Sequence, residues 1–514
     1  MKSSDVIDLI NALEARYPVD QWSVGELRVW PLVRVRFYTA LLAQGLVPEA
    51  APGCFARLEQ QASKRLRGLA RYCRATLADR RRNASLHRHA DVVFLSDGIS
   101  YTNVQGLWYE KFCDPLIDRL EARGLTTLLL SPLQACYVPR RTPSVFIQPR
   151  LDALILRSAL RRTRGGEARL PGYDEAVAYL RELALPLPFP SREQIVRQAC
   201  RVETVAAFYG RLFVRITPRL AFNVSYYATD GMAFNLACRR YGIPVADIQH
   251  GVQGEHHIAY GRWQRLPREG YALLPSHFWV WGQAEAAAIG RWSEAVPPWH
   301  RPLAGGNLWL AAWQGEASAF ARDYDARIAA IAARRPPGAR HVLVTLQWGL
   351  APEEETKIFE AARDGDPNWL WWFRVHPFAL GDRERVRRAL TALGVPAFEL
   401  DAATDIPLYA LLRHMHAHVT HSSSTVLESR EFGVPSVVTS AYGVEFFHSQ
   451  VDDAYLAPAF DAAAIGAAVR RLLTAGPPAG ASASVPNRRE DEALSALLAD
   501  ARCAPRTIAS ALAA

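Results

Sequence analysis

The segments LWWFRVHPF (residues 370–378) and AHVTHSSSTVLESREFGVPSVV (417–438) decide the fold. The first is an apolar, aromatic run of strand length that ends in Arg374, His376 and Pro377. The second opens as a short strand ending in Thr420 and His421, then passes through Ser422, Ser423 and Ser424 into a helical pattern with Val426, Leu427 and Glu428. Gly433 and Pro435 stop that helix and open another apolar strand, Ser436 to Thr439. Strand, helix and strand in succession imply a parallel α/β sheet.

In an open parallel sheet, ligands sit beyond the carboxyl ends of the strands. A helix N-terminus offers unpaired N–H groups and the positive end of its dipole, which favours a phosphate. Ser422 to Thr425 add hydroxyl donors at that place, and Arg374 and His376 add positive charge or a proton from a second strand end. Glu428, about one turn into the helix, is placed to accept hydrogen bonds from ribose hydroxyls. The set suits a nucleotide mono- or diphosphate and requires no metal ion. Each piece has a plainer use: Ser and Thr before a helix are ordinary N-caps, and His-Pro ends many strands.

R-x-H-P followed by H-S-S-S-T resembles the HP and SS motifs of bacterial glycosyltransferases that use CMP-activated sugars, the polysialyltransferases and the Kdo transferases of capsule and O-antigen assembly. The resemblance implies a GT-B fold, two Rossmann-like domains facing a cleft, with metal-independent chemistry. It implies that His376 and Ser422 to Ser424 contact the nucleotide phosphate. Related motifs occur in polymerases that transfer glycerol phosphate from CDP-glycerol. UDP- or GDP-sugar transferases, a non-hydrolysing UDP-sugar epimerase and a scaffold that only binds glycan are the other readings.

The 514 residues suffice for two or three domains. No apolar run is long enough to span a bilayer, and the N-terminus is an amphipathic helix pattern without a signal-peptide core, so a cytoplasmic protein is expected. The seven cysteines are scattered, with no C-x-x-C, which predicts reduced thiols. A formal charge of +9 suits anionic partners, such as nucleotides, acidic glycans or the inner face of a membrane.

Residues 1–90 read as a helical N-terminal extension. Its basic run, from Lys64 through Arg80, Arg81 and Arg82 to Arg88, is a solvated helix face or a peripheral contact with anionic lipid. No nucleic-acid-binding motif accompanies it.

At Asp91 the alternation of strand and helix begins, and residues 91–305 form an expected acceptor domain. DVVFLSDG is a strand and a turn, Tyr109 to Arg123 reads as a helix, and residues 140–218 read as mostly helical. Asp97, before Gly98, is a candidate base; the polysialyltransferases carry an acidic-acidic-Gly motif there, which Ser96-Asp97-Gly98 matches in part. Asp230 lies between a strand and a helix as a second candidate base, and His250 is a third. QHGVQGEHHIAYGRW (249–263) is similar to a Q-H-G segment of surface-polysaccharide transferases. Its Gln249, Gly251, His256 and His257 are expected to line the acceptor side. No zinc-type ligand spacing is present, and the adjacent pair Asp452-Asp453 is not D-x-D.

Residues 306–475 repeat the alternation as a donor domain, and 476–514 read as a linker followed by a helix. The expected activity moves a sugar from a nucleotide-sugar donor, CMP-Kdo or CMP-sialic acid being the named cases, to a glycan or lipid-linked acceptor, with no cofactor beyond that co-substrate. Chemistry requires a base on the acceptor hydroxyl and stabilisation of the leaving phosphate.

Overall fold

Four runs, VVFL, LAFNV, VADI and HFWV, are buried along their whole length. Strands apolar on both faces belong inside a parallel sheet covered on both sides, and that is what they build. The structure is a computed structural model. It describes residues 3–43, 89–132, 137–160, 167–183, 189–315, 318, 320–448, 451, 454–476 and 489–503. The basic run 64–88, the pair Asp452-Asp453 and the linker 477–486 lie outside the described residues.

The chain divides into two compact units, Met1–Leu308 with Asn487–Ala514, and Trp309–Pro486. In the first unit the strands are β1 (Val92–Leu95), β2 (Thr127–Ser131), β3 (Ser144–Phe146), β4 (Leu220–Val224), β5 (Val245–Ile248), β6 (His277–Val280) and β7 (Arg301–Ala304). They lie in the order β7-β6-β5-β4-β1-β2-β3, all parallel. In the second unit β8 (Arg340–Thr345), β9 (Trp369–Arg374), β10 (Phe398–Glu399), β11 (Ala417–Thr420), β12 (Ser436–Val438) and β13 (Leu456–Pro458) lie in the order β10-β9-β8-β11-β12-β13. Counted from its own first strand, the second sheet runs 3-2-1-4-5-6, the doubly wound Rossmann order, and the first runs the same way with a seventh strand beyond the sixth. The chain is therefore an α/β protein with two Rossmann-like domains. In such an order the connections leave the sheet in opposite directions at one place, between strands 1 and 4. That place is β1/β4 in the first unit and β8/β11 in the second.

The N-terminal residues are not an appendage. Helices α1 (Ser3–Arg16) and α2 (Trp30–Ala43) share one apolar core with α3 (Arg192–Ile216), α4 (Thr229–Arg240) and one face of the first sheet. A buried ion pair pins them. Arg34 binds Glu14 and donates to Ile258 O (3.1 Å) and Gly261 O (2.7 Å), and Glu14 also accepts from Trp30 Nε1 (2.8 Å) and Gln264 N (2.7 Å). Every lone pair of that carboxylate needs such a partner, since an uncompensated buried charge is strongly destabilising.

The opposite face of the sheet is covered by helix Cys113–Glu121 and by helix Arg489–Cys503, whose Ala493, Leu494 and Leu497 pack against Val92, Phe94 and Leu220. Tyr109, expected in a helix, stands instead in a strand. Tyr101–Val104 and Leu107–Glu110 form an antiparallel hairpin ahead of helix Cys113–Glu121. The stretch expected to be helical between 140 and 218 contains β3, three residues long and too short to show a period.

Candidate functional site

Polar side chains gather where each sheet reverses its winding. In the first unit Asp97 follows β1, Ser225 to Tyr227 follow β4, and His250 follows β5. Ser225 sits in the left-handed region at φ +62°, and Gly231 in α4 packs under this turn. A Cβ on Gly231 would come within 2.7 Å of Tyr226 O and 2.9 Å of Ser225 O, so only glycine closes the corner.

The turn brings Ser225 Oγ to 2.9 Å and Tyr227 Oη to 3.2 Å from His250 Nε2. His250 Nδ1 lies 3.3 Å from Ile248 O, an acceptor only. Nδ1 is thereby assigned the proton, which leaves Nε2 as the lone-pair side that receives hydroxyl hydrogens. Burial holds His250 below the usual histidine range; the charge of Asp97 opposes this and that of Lys111 adds to it. At neutral pH the ring is a neutral base. The charge of Asp97 is near enough to act on the His250 ring.

Asp97 itself is heavily solvated by the protein. Its carboxylate accepts from Ile99 N (2.9 Å), Ser100 N (3.0 Å) and Ser100 Oγ (2.6 Å). Such an acceptor closes a turn.

Asp230 occupies the first turn of α4. The charges that act on it are Arg201 in α3 and Asp152, while burial pushes its carboxyl up. Its neighbour Thr229 accepts a hydrogen bond from Gln198 of α3 (3.0 Å).

The loop after β5 splits into supporting and unexplained parts. Gln249 is fully buried, accepts from Trp281 N (2.6 Å) and donates to Gly251 O (2.9 Å), so it ties the loop to β6. His257 packs on Tyr227 and Tyr260 at ring distances of 5.4 and 4.8 Å, and burial followed by His250 drives it down to about 3. His256 Nδ1 and both amide atoms of Gln253 are buried without a hydrogen-bond partner among the described residues. Gln253 was not singled out from the sequence, although it stands inside the same Q-H-G segment.

Two buried acids were also missed. Glu110 accepts from Ser96 Oγ (3.2 Å), Phe112 N (2.9 Å) and Cys113 N, and burial with Asp97 nearby pushes it up to about 8. Asp247 accepts from Tyr226 N (2.9 Å) and Tyr260 Oη (2.8 Å), and burial pushes it to about 8. Both hold a proton near neutrality, which keeps the buried charge around His250 small.

In the second unit His376 follows β9, and His421 to Ser424 follow β11. The helix after them, Thr425–Glu431, is only seven residues long, and Ser424 makes no side-chain cap. Instead Ser423 Oγ lies 2.9 Å from Thr425 Oγ1 and accepts from Thr425 N at 3.3 Å, while Ser422 Oγ meets His421 Nδ1 at 3.0 Å. His421 Nε2 reaches Glu354 at 3.5 Å.

His376 lies in a pocket of about 260 Å³ lined also by Gln347, Gly349, Glu355 and Arg385. Burial, then the charge of Arg374, holds His376 below the usual histidine range. It is therefore neutral at pH 7, and what it offers at rest is a hydrogen bond.

Two residues have partners the sequence does not reveal. Arg374 Nη1 donates to Ala403 O (2.7 Å) and Ile406 O (2.6 Å), fixing the segment after β10; burial lowers it to about 10, so it stays charged. Glu428 is 9% exposed and accepts from Tyr409 Oη at 2.6 Å, so one carboxylate oxygen expected for ribose serves a tyrosine. Among the described residues no group of three His, Cys, Asp or Glu side chains is placed to hold a metal ion. No described helix is long and apolar enough to cross a membrane.

A scan of protein-family models and a search of curated proteins found no match to this chain. Among solved structures it is similar to UDP-GlcNAc 2-epimerase from Neisseria meningitidis bound to UDP-GlcNAc, at 14% identity and a TM-score of 0.47, covering 79% of this chain and 99% of that one. A putative UDP-N-acetylglucosamine 2-epimerase from Listeria monocytogenes gives 13%, 0.48, 81% and 98% for the same quantities. The calicheamicin glycosyltransferase CalG4 gives 16%, 0.42, 81% and 100%.

Proposed function

We propose that the chain is a metal-independent glycosyltransferase that takes a sugar from a nucleotide-activated donor. The observation that carries this reading is the hydroxyl loop Ser422 to Thr425 at the switch point of the second sheet, with His376 after β9, one strand beyond β8 in the same sheet. A phosphate is the ligand such a loop suits. The acceptor is read as a glycan or a lipid-linked glycan handled at a cytoplasmic membrane face.

The acceptor oxygen attacks the anomeric carbon, and its proton passes to a base. We assign that base to His250, whose Nε2 lone pair is already directed at hydroxyl groups. Asp97 keeps the ring in a negative field that favours the imidazolium as it forms. The sugar–phosphate bond breaks with its electron pair on the phosphate oxygen, where charge grows. His376 donates a hydrogen bond to that oxygen. Arg374 stays positive behind it.

The finer reading, a cytidine donor, rests on the R-x-H-P and H-S-S-S-T pattern. It is tested by thermal shift with CMP, CDP, UDP and GDP. A nucleotide at a hundredfold excess over its Kd adds about 2.7 kcal/mol. Stabilisation by CMP above UDP is expected. A shift with UDP and none with CMP replaces the cytidine donor by a uridine one, and no shift with any of the four removes the nucleotide reading. Donor turnover without an acceptor that regenerates an isomerised nucleotide sugar would mark an epimerase instead.

A further inference from the structure

A nucleotide leaves a sugar with its charge on a phosphate, and under the metal-independent reading above the balancing positive charge comes from side chains. Two guanidiniums stand at this end of the second sheet, and both are committed. Arg374, the last residue of β9, donates to Ala403 O and Ile406 O. Arg385 lines the His376 pocket and gives Glu355, which is 6% exposed, two hydrogen bonds of 2.7 and 3.0 Å. Parting that pair would leave a buried carboxylate uncompensated.

Lys357 is placed differently. It lies in helix Pro352–Arg363, the helix that follows β8, and its side chain is only 15% exposed. Nζ donates to Thr439 O at 2.8 Å. Thr439 is the residue after β12, and its N–H donates to the carbonyl of Thr420, the last residue of β11, at 2.9 Å. The ammonium therefore stands at the carboxyl end of β12, beside the strand from which the hydroxyl loop Ser422 to Thr425 leaves. Ligands of a parallel sheet sit at that edge.

The second partner of Lys357 is Glu354 Oε2, at 2.5 Å, and the same oxygen lies 3.5 Å from Nε2 of His421, the residue before Ser422. Glu354 is 35% exposed. Water can take up this carboxylate when another anion replaces it on the lysine, a relief that Glu355 lacks. An ammonium has three donors, of which Thr439 O and Glu354 account for two. A largely desolvated charge also acts on its neighbours more strongly than one in water.

We propose that Lys357 is the cationic partner of the donor's phosphate, with Glu354 as the counter-ion that occupies it until the donor binds. The proposal rests on the glycosyl-transfer reading above and adds to it the charge that the hydroxyl loop lacks. A point charge of this kind suits a phosphate oxygen whatever base or sugar the nucleotide carries.

The test uses the full chain with Lys357→Met, Lys357→Arg and Glu354→Gln, and titration calorimetry with CMP, UDP, cytidine and uridine. Lys357→Met is expected to weaken whichever nucleotide binds by about tenfold, and Lys357→Arg to recover most of that loss. Glu354→Gln removes the competing anion and keeps the cation, so it should tighten the same nucleotide by about two- to threefold. Cytidine and uridine, which carry no phosphate, should bind wild type and Lys357→Met alike. A purely structural tie between Lys357 and Glu354 predicts that both substitutions lower melting temperature and affinity together. That outcome overturns the proposal, as does an equal loss for nucleoside and nucleotide, or no loss with Lys357→Met. Should Lys357→Met fail to fold, Glu354→Gln decides: tighter nucleotide binding keeps the proposal, and unchanged or weaker binding ends it. If the wild type binds neither nucleotide, the nucleotide reading fails by itself, and the cation site is judged with inorganic pyrophosphate. A rise in melting temperature that Lys357→Met loses and Glu354→Gln enlarges keeps the site; the same response in all three proteins removes it.

Discussion

The two reversal points share one topology and differ in how their polar groups are satisfied. In the first unit nearly every group around His250 has a protein partner: Ser225, Tyr227, Ile248 O, and the acids Asp247 and Glu110 behind them. In the second, Ser422 meets His421, Ser423 meets Thr425, His421 reaches on to Glu354, and His376 borders a pocket of about 260 Å³. A network completed from within holds one side chain in one tautomer. Hydrogen bonds between near neighbours in the chain give that loop its geometry. Topology says where a site lies; satisfaction of the polar groups separates a prepared reagent from a prepared receptor.

The sharpest way to break this contrast is at His250. His250→Ala removes the proposed base and is expected to lower kcat by about 10²- to 10⁴-fold with nucleotide binding intact. In the wild type the ring is held below the usual histidine range. Its neutral, active form therefore persists as pH falls, and the acid limb of kcat/KM should lie below pH ~6.5. An acid limb at or above that value, or an active His250→Ala, places the base elsewhere.

At the second reversal point His376→Ala is expected to cost about 10²- to 10³-fold in turnover with a normal melting temperature. Ser423→Ala should instead weaken nucleotide binding evenly in ground and transition states. A destabilised but active His376→Ala would make the histidine a strand-end support.

A smaller effect tests the first network. Asp247 in the folded chain titrates near 8, above the ordinary carboxylate range. A raised folded pKa means stability that is fully present below pH ~4, is lost progressively as pH rises from there, and is gone above about 8. Asp247→Asn keeps the shape without that ionisation. It should gain on the order of 2–3 kcal/mol on wild type between pH 6 and 9, read from urea midpoints; parallel pH curves would show that Asp247 is not the titrating group. The smallest effect is expected at Asp230, set against Arg201 and Asp152. Asp230→Asn should change kcat less than about threefold, and a loss near that of His250→Ala would restore it as the base.

Much of this was legible before any coordinates. Apolar runs closed by Gly, Pro or hydroxyl residues marked most of the strands, because burial on both faces leaves an uninterrupted apolar signature. Asp97, His250, His376 and Ser422 to Ser424 are placed after strands by the sequence pattern, and they stand after strands in the structure. What escaped notice depends on distant partners. The hairpin Tyr101–Glu110 reads like the start of a helix, and β3 is three residues long. Ser225 and Tyr227 acquire meaning only when His250, 25 residues on from Ser225, is folded against them. Arg374 and Glu428 look like ligand groups in sequence, yet carbonyls at 403 and 406 and a tyrosine at 409 engage them in space.

Helix Arg489–Cys503 belongs to the first unit although the whole second unit separates it from β7. During synthesis the chain emerges N-terminal end first, at about 5–20 residues per second. The first sheet is then complete at β7 while one of its faces still lacks Leu494 and Leu497. That face, covered until then in part by helix Cys113–Glu121, must wait roughly 200 more residues for its second helix, some tens of seconds at that pace. The unit begun first on the ribosome is finished last, and a nascent-chain binding factor would find its target in the interval.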